Sequence, residues 1–153
     1  MPCPNAARLK QDIARYRKAG ADRVVSMLAK DEAASLGLAD EGAACANVGI
    51  AFIHRPIADF GLPDVRQFEA LVRQINTWLE AGQGICVHCR AGIGRSGMVC
   101  AGILVLQGLS ATQAIEKVTH ARGVSIPDTV EQGNFITAFE SDTKGRIHLT
   151  ISK

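Results

Sequence analysis

The chain has 153 residues, 47% of them hydrophobic and 21% charged, with a formal net charge of +2. That length and apolar fraction suit a single domain over residues 1–153 with a substantial core. The small net charge, with basic residues spread along the chain, argues against a nucleic-acid partner, and no run reaches the length a membrane span needs.

In chain order, the polar opening MPCPNAARLKQDIARYRKAG lacks the apolar stretch of an export signal, so a cytoplasmic protein with no membrane partner is expected. Its second part reads as an amphipathic helix opened by Asn5 and closed by Gly20. RVVSML follows as a short strand rich in β-branched residues. An Ala-rich, acidic helical stretch then runs roughly from Asp31 to Ala46, broken by Gly37 and Gly42. IAFIH is the next strand, and HRPIADFGLPD, with two prolines and a glycine, is a loop. Val65, Phe68, Leu71, Val72, Ile75, Trp78 and Leu79 recur with a helical period that Gly82 ends.

GICVHC reads as a buried strand and RSGMVCAGILVLQG as a strongly apolar, central helix. A helix capped by Ser110 and closed by Gly123 comes next. PDTVEQGNFITAFE is a last helix, and the alternating RIHLTIS predicts a terminal strand. Strands separated by helices imply an α/β fold, a central, mostly parallel sheet flanked by helices, with ligands bound beyond the strands' carboxyl ends.

The stretch VHCRAGIGRSG lies at such an end. Cys89 leaves the strand and Arg95 begins a helix, while Gly92 and Gly94 let the intervening backbone turn its N–H groups inward. Arg90, Ala91, Gly92, Ile93, Gly94 and Arg95 thus form a nest for a tetrahedral oxyanion, with the planar guanidinium able to grip two oxygens at once. The same field lowers the Cys89 thiol from about 8.5 toward a range of ~3.5–7.5 and makes the thiolate the majority species at neutral pH. A thiolate beneath a phosphate is a nucleophile aimed at phosphorus. Ser96 donates to the sulfur, and His88 orients the loop.

HCRAGIGRS matches the His-Cys-x5-Arg-Ser/Thr signature of cysteine-dependent protein tyrosine phosphatases. HRPIADFGLPD resembles the acid loop of their compact dual-specificity branch, and the likeness to kinase-associated and small prokaryotic members runs from about Ala21 to Phe139. The resemblance implies a protein tyrosine phosphatase-like fold. It also implies a phosphocysteine on Cys89, Asp59 as general acid and then base, and charge stabilisation by Arg95 without metal or cofactor. Asp64, after Pro63, competes for the acid role, but its place at the start of the long helix reads as a cap, and the family pattern favours Asp59. Where the family often has Ile-Gln-Thr-x-x-Gln, this chain has PDTVEQ, which puts Asp128 at the first glutamine's site and keeps Gln132. Both are candidates to position the hydrolytic water.

Ala91 and Ile93 stand where phosphoinositide phosphatases often carry lysines, so the expected partner is a phosphoprotein bearing phosphotyrosine, with phosphoserine and phosphothreonine also in range. A lipid or small-molecule phosphomonoester, a phosphate-recognition module without turnover, and arsenate reduction or sulfur transfer are the alternatives. A monomer is expected. Arg55 and Arg90 attract acidic substrate or are plain surface charges, and His54 and Trp78 are structural. Five cysteines without an export signal read as reduced thiols. Cys86 and Cys89 lack the second pair that a zinc site needs. Cys86, facing away from the nest, reads as core, and a protective disulfide from Cys89 to Cys45 or Cys86 is a minor alternative.

Overall fold

The structure, a computed structural model, describes residues 1–151, with side chains described through Gly145. A short 3-10 turn, Ala6–Arg8, capped by the Asn5 side chain, leads into α1 (Leu9–Lys18). Then come β1 (Ala21–Ser26), α2 (Lys30–Ser35), α3 (Glu41–Ala46), β2 (Ala51–His54), α4 (Val65–Glu80) and β3 (Gly84–His88). The chain continues through α5 (Arg95–Leu106), α6 (Ala111–Arg122) and α7 (Val130–Ile151). The strands form one parallel sheet in the order β2-β1-β3, with Val24 opposite Phe52 on one side and Cys86 on the other.

Alternation along the strands divides the interior into two layers. Val24 joins Ile13, Cys45 and Ile50 on one face, beneath α1 and α3, with Cys86 packed against them. Val25 and Val87 point into the larger layer, which holds Phe68, Met98, Ile136 and Phe139. Helix α5 is buried on nearly every side because α4, α6 and α7 all pack on it. Its sequence is apolar around its whole circumference, as a central helix requires. Phe68 of α4 meets Phe135 and Phe139 of α7 edge-on, with ring centroids 4.9 and 5.2 Å apart. Arg23 lies over the Trp78 ring at 4.3 Å, and the His54 ring nitrogen Nε2 is 2.7 Å from Leu28 O, structural roles for both aromatic side chains.

Because the strands are parallel, their carboxyl ends leave the sheet at the same edge. β1 runs out toward α2, β2 into the 55–64 loop, and β3 into the Cys89–Arg95 turn. Backbone bonds from Met27 N to His88 O and from Ile57 N to Met27 O, at 2.9 and 3.1 Å, tie the three exits together. The acidic stretch resolves into two short helices with Gly37, at φ +70°, in the break.

The terminal strand expected from RIHLTIS is not formed. Arg146–Ile151 continues α7, and Ser152 lies outside the described residues. Alternating residues are only half of a strand, because its backbone groups still need a neighbour to pair with. An established helix instead gains a hydrogen bond with each added residue. Among the described residues no helix is long and apolar enough to cross a membrane.

Phe68 joins α4 to α7 across the larger layer, so Phe68→Ala is expected to cost about 3–5 kcal/mol of stability, read from urea unfolding.

Candidate active site

The Cys89–Arg95 turn closes around the Cys89 sulfur. The residue is only 2% exposed, yet its thiol is held below the ordinary value. Burial alone pushes it up. The Ser96 hydroxyl and the backbone N–H groups of Ser96, Gly92 and Ile93 more than reverse that, each stabilising the anion. Ser96 Oγ is 3.4 Å from Sγ, and Gly92 N donates to it at 3.3 Å. Three backbone amides and one hydroxyl thus converge on the sulfur. The donors that act most on the thiol are the hydroxyl and the amides, not the guanidinium. Arg90 and Ala91 lie on the turn's exposed outer surface, while Gly92 and Gly94 are buried.

The other thiols are different. Burial raises Cys3, Cys86 and Cys100, and pushes Cys45 up to about 12. Cys45 and Cys86 belong to the layer on the far face of the sheet from Cys89, and all five cysteines are free thiols.

Arg95 is 2% exposed and fully engaged. Its Nη1 and Nη2 donate to the two carboxylate oxygens of Glu32 at 2.6 and 2.9 Å, a bidentate pair that reaches from α5 to α2. Nη1 also donates to Ile57 O at 3.2 Å, and Nη2 lies 2.9 Å from Asp59 Oδ1. The 55–64 loop thereby brings Asp59 to the bowl. Asp59 stays 44% exposed, and its Oδ1 accepts from Phe60 N at 3.2 Å. Asp64 instead caps α4 by accepting from Gln67 N at 2.9 Å.

Asp128 and Gln132 arrive from the other side. A Cβ on Gly94 would collide with Asp128 Oδ2 and Gln132 Oε1, so both side chains lie directly against the turn. Gln132 is fully buried with both ends of its amide committed. Its Oε1 accepts from Asp128 N and its Nε2 donates to Gly61 O, each at 3.2 Å. It therefore laces the acid loop to the start of α7. Asp128 remains exposed.

His88 lies beneath the turn, with Nδ1 3.4 Å from Cys89 O. On its other side Glu41 Oε1 approaches Nε2 to 2.9 Å, out of line for a hydrogen bond, and both side chains are fully buried. Neither Glu32 nor Glu41 stands out in the sequence, where both belong to an acidic helical stretch. The available signal was indirect: a buried guanidinium needs a carboxylate partner.

Compared with known proteins, residues 2–109 match the family described as "Polymorphic toxin system, DSP-PTPase phosphatase". The chain belongs to that family. The likeness to the compact dual-specificity branch read from HCRAGIGRS and HRPIADFGLPD is thereby shown. Human cyclin-dependent kinase inhibitor 3 is 33% identical over 93 residues, which cover 60% of this chain and 44% of that protein. The chain thus spans less than half the length of the curated relatives it matches. The crystal structure of kinase-associated phosphatase with its catalytic-site cysteine changed to serine shares the fold at a TM-score of 0.82, with 24% identity and coverage of 88% and 77% of the two chains. The active form of Tk-PTP gives a TM-score of 0.75 at 27% identity, covering 92% and 88%.

The Arg95 hydrogen bonds hold the Glu32 carboxyl below the usual carboxylate range. A depressed carboxyl contributes stability that is present at neutral pH and is lost as pH falls through the ordinary range toward its folded value. Glu32→Gln is expected to lower stability at pH 7 by about 1–3 kcal/mol, because it removes the bidentate carboxylate and leaves Arg95 only the half-exposed Asp59 as a charge partner. It should also flatten the acid limb of a stability-against-pH curve from urea unfolding.

Proposed function

We propose that this chain dephosphorylates proteins, acting on phosphotyrosine and also on phosphoserine and phosphothreonine esters. One observation carries the reading. A buried sulfur held below its usual pKa lies in a turn that also gathers Arg95 and Asp59, those two 2.9 Å apart.

The chemistry follows from those groups. A phosphate dianion enters the nest, takes hydrogen bonds from the inward amides and from Arg95, and displaces Asp59 from the guanidinium. The Cys89 thiolate donates an electron pair to phosphorus; the S–P bond forms as the P–O ester bond breaks. Asp59 gives its proton to the departing oxygen. Water then attacks the phosphocysteine, Asp59 takes a proton from it, and the S–P bond breaks with its electron pair returning to sulfur. The Ser96 hydroxyl, already 3.4 Å away, stabilises the sulfur as it departs. Preorganised donors are the main source of charge stabilisation, since they need no rearrangement as the transition state forms.

Gln132 is committed to Asp128 N and Gly61 O, which favours Asp128, with its exposed carboxylate against Gly94, as the group that positions the water. His88 supports the loop from below. The protein-substrate reading draws on the apolar rim: Phe60, directly after Asp59, is 64% exposed, and Val130, two residues before Gln132, is 74% exposed. These offer apolar surface to an aromatic leaving group, whereas a polyphosphorylated headgroup would call for cations. The relatives' names, a cyclin-dependent kinase inhibitor and a kinase-associated phosphatase, point the same way. A phosphate-recognition module would need neither Asp59 nor a lowered thiol.

Wild-type protein should release nitrophenol from para-nitrophenyl phosphate and inorganic phosphate from phosphotyrosine peptides. Cys89→Ser should abolish both, and Asp59→Asn should lower kcat by ~10²–10⁴ while phosphate still binds. In the same assay Asp128→Ala should accumulate phosphocysteine. Tight phosphopeptide binding without release by wild type would instead establish a recognition module.

A further inference from the structure

The amides that converge on the sulfur are one side of peptide planes whose other side faces away from it. In a trans peptide the C=O and N–H point in opposite directions. Whatever holds a carbonyl outward therefore aims the next residue's N–H inward.

Two carbonyls of the turn have outside partners. Arg122, the last residue of α6, donates from Nε to Gly92 O at 3.1 Å. The same peptide carries the Ile93 N–H, one of the amides that lower the Cys89 thiol. Cys3 N donates to Arg90 O at 3.2 Å, on the peptide that carries the Ala91 N–H. Around this second contact the chain's first residues lie along the turn. The Met1 nitrogen donates to Val87 O at 2.7 Å, and Pro2 forms a parallel bridge with Cys89. This segment packs so tightly that a Cβ on Gly92 would collide with the Met1 and Pro2 backbone.

The turn needs such restraint. Gly92 is at φ +76°, where glycine is comfortable but has many other choices. Between Gly92 and Gly94 the local sequence does little to decide which way the peptide at Ile93 faces.

We propose that Arg122 and the Met1–Cys3 segment form an outer clamp, positioning elements that hold the Gly92 and Arg90 carbonyls outward and so keep the turn's amides aimed at sulfur and phosphate. The inference rests on the phosphatase reading for its kinetic consequences, but not for its effect on the thiol or on anion binding. Arg122 bonds a backbone carbonyl of the turn. It acts through one peptide plane.

The clamp is tested with Arg122→Met, which keeps the stem and removes the donor; Arg122→Lys, which restores a donor; and Cys3→Pro, which removes the backbone N–H, read against Cys3→Ala, which removes only the thiol. Each is measured for Cys89 alkylation against pH, inhibition or displacement by inorganic phosphate, para-nitrophenyl phosphate turnover, and folding by circular dichroism. Arg122→Met is expected to shift the Cys89 titration upward and weaken phosphate binding about tenfold, less than the loss of a direct oxyanion donor because the effect is relayed. Arg122→Lys should recover part of both, and Cys3→Pro should move both in the same direction. If Arg122→Met does not fold, Arg122→Lys and Cys3→Pro decide. Folded variants with wild-type thiol titration and phosphate binding would overturn the clamp, while their turnover would leave the phosphatase reading intact. Absence of turnover in wild type would overturn that reading, with the thiol and phosphate measurements still judging the clamp.

Discussion

A negative charge on a sulfur that water scarcely reaches must be met by fixed donors, and this structure is arranged around that requirement. Burying an unpaired ion is costly, and a thiol in an apolar pocket simply keeps its proton. Cys45, Cys86 and Cys100 show that outcome in the same molecule, since burial raises all three. Cys89, 2% exposed, is nearly as enclosed as Cys45 at 0%, and its thiol moves the other way because amides and a hydroxyl converge on it. The difference lies in the Ser96 hydroxyl and the direction of the backbone amides, not in the cysteine.

The donors have to be held by something, and the parallel sheet supplies it. Three strands end at one edge, so the nucleophile turn, the acid loop and the helix carrying Glu32 meet without any long excursion of the chain. Arg95 is the joint between them. It reaches Glu32 on α2, Ile57 O and Asp59 on the loop, and begins α5. A guanidinium with that many planar donors can do this, whereas a lysine ammonium could not hold the same bidentate geometry. Gln132 adds a second tie, from α7 to Gly61. The acid loop is thus fastened at both sides while Asp59 itself stays half exposed, open to an incoming ester.

What was legible in the sequence was what is contiguous. Cys89, Gly92, Gly94, Arg95 and Ser96 lie within eight positions, so the strand-turn-helix context and the chemistry could be read together. Asp64 and Ser110 could be assigned as caps for the same reason: a cap is a relation between residues three apart. Asp59 was placed by resemblance, because nothing local separates an acid in a proline-rich loop from any surface aspartate. Glu32, Glu41, Arg122 and Met1–Cys3 were not legible. Each acts on the turn from 30 or more positions away, and none has a spacing that marks it. The terminal segment misled for a related reason. Alternation records which side chains could share a face, but a strand also needs a neighbouring edge, and Arg146–Ile151 continues a helix instead.

The most direct measurement is the pH dependence of iodoacetamide labelling at Cys89, followed by peptide mass spectrometry in the folded protein and in urea. The account predicts that folded Cys89 is labelled with a midpoint below the ~8.5 of a free thiol, that unfolding returns it to that value, and that the other four cysteines stay protected in the fold. A folded midpoint at or above the unfolded one would contradict it.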